Sequence, residues 1–266
     1  MLTCTAAAIQ MISTPEVADN LATAARLIAE AAGRGAQLVV LPEYFAIMGA
    51  RDTDKLAVQE TYGNGRLQDF LAGEAARYGI WLVGGTIPLA SDDAGRVRNS
   101  CLAFDPFGAC VARYDKIHLF GFDNGSERYA EADTIVPGAE PVAFDTPFGR
   151  VGLAVCYDLR FPELFRREQL DIWALPAAFT ATTGRAHWEV LLRARAIENQ
   201  CYVVASGQGG VHPTGRETFG HSLIADPWGQ LLDVLPQGEG VVQAELKASQ
   251  LERVRKTLPA LQHRRL

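Results

Sequence analysis

The chain has 266 residues, 48% of them hydrophobic and 21% charged, with a formal net charge of −6. That is ordinary globular composition with ample apolar material for a large core, and the acidic balance argues against nucleic acid or an anionic membrane as a partner. No apolar run reaches the roughly 18 residues a transmembrane helix needs, and no linker-like stretch divides the sequence, so residues 1–266 read as one domain.

The opening "MLTCTAAAIQMIST" lacks the basic segment of a secretory leader, and its alternation reads as a first strand. In "STPEVADNLATAARLIAEAAGRG", Thr14 is placed to cap a helix and Pro15 suits its first turn. Val17, Leu21, Ala24, Leu27, Ile28 and Ala31 form one stripe, and Gly33 or Gly35 ends it. "GRLQDFLAGEAARYG" repeats the pattern with Leu67, Phe70, Leu71, Glu74 and Tyr78. "AHWEVLLRARAIENQ" gives a third helix with Trp188, Leu191, Leu192 and Ile197.

Between the helices lie the short apolar runs "QLVVLP", "IWLVGGTIP", "VGLAV", "DIWALP" and "CYVVASG". They suit strands buried on both faces. "DPFG" (105–108), "TPFG" (146–149) and "DPWG" (226–229) each separate two strand-like runs and read as hairpin turns. Helices alternating with parallel-type strands imply an α/β layered fold, and the hairpins make its sheets mixed. Two packed sheets with helices outside use every element. The Arg-rich end "ERVRKTLPALQHRRL" reads as a solvated helix and tail. Cysteines 4, 101, 110, 156 and 201 form no C-x-x-C pair, which suits reduced thiols in a cytoplasm and neither a disulfide frame nor a metal site.

Three residues sit where such strands would end. "LVVLPEYF" delivers Glu43, "CVARYDKIHLF" delivers Lys116, and "VGLAVCYDLRFPELF" delivers Cys156. Sites collect outside strand ends in α/β sheets. Singly, each has a plain alternative: a loop acid, a surface cation, an inert core thiol. Jointly they suit amide cleavage. A carboxylate lies about 4 pKa units below a thiol, so proton transfer between them costs roughly 5–6 kcal/mol in water. Burying Glu43 raises its pKa, and an ammonium at Lys116 stabilises a thiolate, which narrows that gap. Lys116 and the backbone N–H of Tyr157 could then hold an oxyanion, while Glu43 returns the proton to the leaving nitrogen. Competing thiol chemistries lack their marks: Arg160 follows Cys156 by four residues where a phosphatase cradle needs six, and the five histidines are dispersed.

"LPEYF", "YDKIHLF" and "CYDLRFPELF" together resemble the three signatures of the nitrilase superfamily of carbon–nitrogen hydrolases. The resemblance runs nearly end to end. It implies a four-layer α-β-β-α sandwich with two mixed β-sheets, a Glu43–Lys116–Cys156 triad, no cofactor, and a homodimer joined face to face. "PAAFTATTGRAHWEVLLRARAIENQCYVVASGQ", "FGHSLIADPWG" and "LPALQHRR" resemble the deaminated glutathione amidases within it, with ω-amidases near. On that footing the substrate is a small carboxylate-bearing amide. Glu131 in "YAEADTIVPG" matches an assisting glutamate, Arg160 a carboxylate-binding position, and Phe179 and Thr183 the pocket wall. Each has its structural alternative: a loop acid, a salt bridge, packing and a helix cap. The pattern usually reads "TGPAHWE"; here Arg185 replaces the proline, adding a cation near the expected pocket.

Overall fold

The computed structural model describes residues 1–125 and 128–265. Its principal strands, in chain order, are β1 (Cys4–Gln10), β2 (Leu38–Val40), β3 (Trp81–Val83), β4 (Ile87–Ala90), β5 (Val97–Phe104), β6 (Cys110–Asp115), β7 (Val142–Thr146), β8 (Gly149–Leu153), β9 (Ile172–Ala177), β10 (Tyr202–Gly207), β11 (Ser222–Ala225), β12 (Leu231–Leu235) and β13 (Gly240–Leu246). One sheet runs β13-β1-β2-β3-β5-β4 with β6 on β5, the other β12-β11-β10-β9-β8-β7. In the first, β1, β2 and β3 are parallel; in the second, β8, β9 and β10 are. Antiparallel strands flank both trios. The three Pro-Gly turns close the hairpins β5–β6, β7–β8 and β11–β12.

Period-two alternation divides the first sheet between two cores. Ala6, Ala8, Leu38, Val40, Val83, Cys101 and Ala103 share a core with the second sheet's Val151, Leu153, Ile172 and Ala174. Ala7, Ile9, Val39, Leu41, Leu82 and Leu102 face α1 (Val17–Gly33) and α2 (Arg66–Tyr78). Helix α3 (Ala181–Asn199) covers the far face of the second sheet through Trp188, Leu192 and Ala196. The layers are therefore α-β-β-α.

Four local expectations change. Helix α1 starts at Val17, and Thr14 instead closes a turn ahead of it, its Oγ1 accepting the Glu16 N–H at 3.0 Å. "IWLVGGTIP" breaks into β3 and β4 because Gly85 takes φ +58° and a Cβ there would lie 2.2 Å from the Pro42 carbonyl oxygen. Ile197 is half exposed; buried Arg195 occupies the inward face, donating to the Leu159 carbonyl at 2.7 and 3.1 Å. The Arg-rich end is not wholly solvated. In α4 (Ala248–Thr257), Arg255 binds Asp171 at 2.7 Å and donates to the carbonyls of Leu170 and Gln200. Among the described residues no helix is long and apolar enough to cross a membrane.

Candidate active site

Glu43, Lys116 and Cys156 converge at one end of the seam between the sheets. Glu43 leaves β2 and Lys116 leaves β6, both in the first sheet; Cys156 follows β8 in the second. All three are buried. Lys116 Nζ donates to Glu43 Oε1 at 2.9 Å and to both oxygens of Glu131 at 3.0 and 2.8 Å. The other Glu43 oxygen accepts the Ala178 N–H, at the end of β9, at 2.9 Å. One carboxylate thus ties the two sheets together.

Backbone conformation aims these groups. Cys156 has φ +49° and Tyr44 φ +56°, a left-handed setting that disfavours residues with a Cβ and marks functional turns. The Tyr44 N–H donates to Thr86 Oγ1 at 2.9 Å, past the two glycines that let this chain crossing close. The Lys116 N–H donates to the Asn99 carbonyl, and Asn99 Nδ2 to Glu43 Oε1 at 2.9 Å. Gly138 admits its loop beside Lys116, since a Cβ there would lie 2.1 Å from the Asp115 carbonyl oxygen.

Electrostatics set the resting protonation. Burial raises the Glu43 pKa, with Lys116 opposing and Glu131 reinforcing the rise. Burial also raises Cys156 well above an ordinary thiol, and the Glu43 charge adds to it more than Lys116 subtracts. Burial alone would lower Lys116, but Glu131 and Glu43 reverse that and hold it charged. Burial likewise pushes Glu131 up, yet Lys116, the Phe120 N–H and the Tyr44 hydroxyl hold it below the usual range. Lys116 does pull the thiol pKa down, as the sequence implies, but burial and the Glu43 charge outweigh it, so the resting sulfur is a neutral thiol.

Cys156, Tyr157, Phe179 and Thr183 line a narrow, partly open cleft together with Phe120, Ala178 and Thr180. The cap of α3 belongs to Thr180, whose side chain accepts the Thr183 N–H. Arg160 stands at the margin, its guanidinium 5.5 Å from the Phe179 ring and 5.7 Å from Tyr157, with Nη1 3.2 Å from His187 Nδ1. It forms no ion pair among the described residues. Arg185 is exposed, pairs with Glu217 at 3.2 Å and does not line the cleft. Cys110 is exposed, and the other four cysteines are buried.

Sequence reasoning missed Asp158. Fully buried, it accepts from the Val155 N–H and the Tyr114 hydroxyl on one oxygen, at 2.8 and 2.7 Å. Its other oxygen accepts the His118 N–H at 3.1 Å and contacts His118 Nδ1 at 2.7 Å. It therefore locks the turn that carries the thiol to the segment that carries the ammonium. The signal was present as an acid two residues after Cys156 and a histidine two after Lys116. Asn99 and Tyr44 carried none.

The family model for carbon–nitrogen hydrolases matches residues 5–256. This chain belongs to that family. The hydrolase is 43% identical to a deaminated glutathione amidase of Synechocystis, with 97% of each chain covered. It is 37% identical to an omega-amidase of Xenopus laevis, over 97% of this chain and 93% of the relative. Nit3 of Saccharomyces cerevisiae, a member of branch 10 of the nitrilase superfamily, superposes with a TM-score of 0.89 at 30% identity. That match covers all of this chain and 97% of the other.

Proposed function

We propose that this hydrolase cleaves the amide of a small carboxylate-bearing substrate through a thioester on Cys156. The observation that carries the reading is the buried Glu43–Lys116–Glu131 chain beside a thiol held at positive φ. Cys156 gives its proton to Glu43 as sulfur bonds to the carbonyl carbon. Lys116 Nζ and the Tyr157 N–H stabilise the oxyanion, and Glu131 keeps the ammonium charged and fixed. As the oxyanion collapses, the C–N bond breaks and Glu43 passes the proton to the leaving nitrogen. Glu43 then takes a proton from water, whose oxygen attacks the thioester. The acid leaves and the thiol recovers its proton. Every step is met by side chains and backbone, so no cofactor is invoked.

The substrate that fits best is deaminated glutathione, cleaved to 2-oxoglutarate and cysteinylglycine, with Arg160 taking the 2-oxo acid carboxylate and Phe179 and Thr183 forming the wall. The similarity to an omega-amidase supports a second reading, release of ammonia from 2-oxoglutaramate. Incubating the enzyme with each compound and detecting products by mass spectrometry decides between them. Turnover of neither, or undiminished turnover by Cys156→Ala, refutes the proposal.

The hydrolase is further proposed to act as a single domain, since β1 and β13 from opposite ends of the chain pair along seven residues. Half or more of Val190, Trp228 and nearly half of Ile197 lie exposed on α3 and the adjoining turn, which supports a homodimer joined through that face. Five free cysteines suit a reducing cytoplasm.

A further inference from the structure

A second, partly open pocket of about 40 Å³ adjoins the Glu43–Lys116–Cys156 cluster. Phe120 is a wall of both this cavity and the cleft over Cys156, and Tyr44 and Glu131 line it from the triad side. Two cations face it from segments that the catalytic reading does not use. Lys55 comes from the helical turn Asp54–Val58, and Arg216 from the turn joining Gly209–Val211 to Glu217–Phe219.

Neither cation forms an ion pair among the described residues. Among the described residues Lys55 Nζ donates only to Thr134 Oγ1, at 3.2 Å, and it lies 5.4 Å from the Tyr44 ring. The Arg216 guanidinium lies 5.2 Å from the Tyr129 ring, and its Nε is buried with no hydrogen-bond partner. A buried donor left unpaired is unfavourable, and a ligand acceptor relieves it. The neighbouring charges do not cancel the pair. Glu131 is committed to Lys116, and Arg51 is turned to Asp54 at 3.0 Å. Asp52 and Glu131 both attract Lys55, yet among the described lining residues three cations (Arg51, Lys55, Arg216) face two acids, so the lining keeps an excess positive charge.

We infer that Lys55 and Arg216 form a second carboxylate subsite, which takes the acidic terminus of the leaving group. This rests on the proposed amidase reaction at Cys156. In deaminated glutathione the glycyl carboxylate lies about 7 Å beyond the scissile carbonyl, two residues of extended chain. An acyl group held by Arg160 on the Tyr157–Phe179 side sends its amine portion past Phe120 toward this cavity. Ammonia, the leaving group of an ω-amide, has nothing to place there. The subsite therefore selects amides whose amine side ends in a carboxylate.

The test compares kcat/KM for deaminated glutathione and for its glycinamide analogue, which lacks only the terminal charge. The wild type is expected to prefer the free carboxylate by about tenfold or more, the scale of one charge-assisted hydrogen bond. Arg216→Gln should collapse that ratio through KM, and Arg216→Lys should keep part of it. Lys55→Gln, on a separate segment, should lower the same ratio, so local misfolding around Arg216 cannot decide the outcome. A wild type without preference, or variants with an unchanged ratio, overturns the subsite while leaving the amidase reading intact. Failure of the wild type to cleave either compound overturns the substrate reading and the subsite with it.

Discussion

Replacing Lys116 by Met keeps the length of the side chain and removes its charge. Its ammonium is wholly buried and is shared by Glu43 and Glu131 at 2.8–3.0 Å. The substitution leaves two buried carboxyl groups facing each other without a cation. Breaking a buried pair in this way costs about 3–5 kcal/mol, which at about 2–4 °C per kcal/mol for a domain of this size lowers Tm by on the order of 10 °C. The pH dependence has a definite sign. A carboxyl whose folded pKa is raised contributes stability below its unfolded pKa and loses it as pH rises through the folded value. In wild type, Glu43 is raised and Glu131 lowered, so their slopes oppose; without Lys116 both are raised. The Tm gap between Lys116→Met and wild type should widen from pH 5 to pH 8 in differential scanning calorimetry. Glu43→Gln is the control. It leaves Lys116 paired with Glu131, so turnover should fall by roughly two orders of magnitude or more with only a small change in Tm. Adding Glu43→Gln to Lys116→Met should recover part of the lost stability. A Lys116→Met protein melting within a degree or two of wild type at pH 7.5, or a gap that narrows as pH rises, would refute this account of the cluster.

Exposed Cys110 should react with iodoacetamide alongside Cys156, whereas buried Cys101 and Cys201 stay unmodified; in a Cys110→Ser background, inactivation should track labelling of Cys156, as peptide mapping would show. Asp158→Asn has one acceptor oxygen for the donors that two now receive, so kcat should fall at least tenfold and Tm by several degrees; unchanged kinetics would leave Asp158 without a positioning role. Arg160→Lys loses the planar fork, so KM for deaminated glutathione should rise far more than for a neutral short-chain amide, and equal changes on both would make Arg160 structural.

The layers and the three hairpins were legible because each depends on local pattern: apolar runs for strands, 3.6-residue stripes for helices, Pro-Gly turns between them. The order Glu43, Lys116, Cys156 was legible because each follows a strand-like run. What stayed hidden depends on register and distance. Asn99 lies within β5, and only the pairing that brings its carbonyl to the Lys116 N–H turns its side chain to Glu43. Thr180, not Thr183, caps α3 because the helix begins before the periodic stretch that announces it. Arg185 looked like a pocket cation from its place near Thr183, yet the helix turns it outward to Glu217. Arg255 resembled tail charge until the fold brought Asp171 to it, across 84 residues. Lys55 and Arg216 belong to short turns with no periodic signal at all.

The seam between the sheets explains why the triad needs so many backbone partners. Glu43 and Lys116 come from one sheet, Cys156 and the Ala178 N–H from the other, so any slip between sheets would separate the proposed base from the proposed nucleophile. Three contacts oppose that slip. Ala178 binds Glu43 directly; Gln208, beyond β10, donates to the Glu43 carbonyl at 3.0 Å; and Asp158, beyond β8, holds Tyr114 of β6. Each crosses from the second sheet to the first within one or two residues of a triad member or its strand. Such groups hold Glu43, Lys116 and Cys156 in register, and preorganisation of this kind removes the reorganisation that would otherwise accompany charge development in the proposed reaction. The apolar core between the sheets fixes their separation; these polar contacts fix their register, which hydrophobic burial, being non-directional, leaves free.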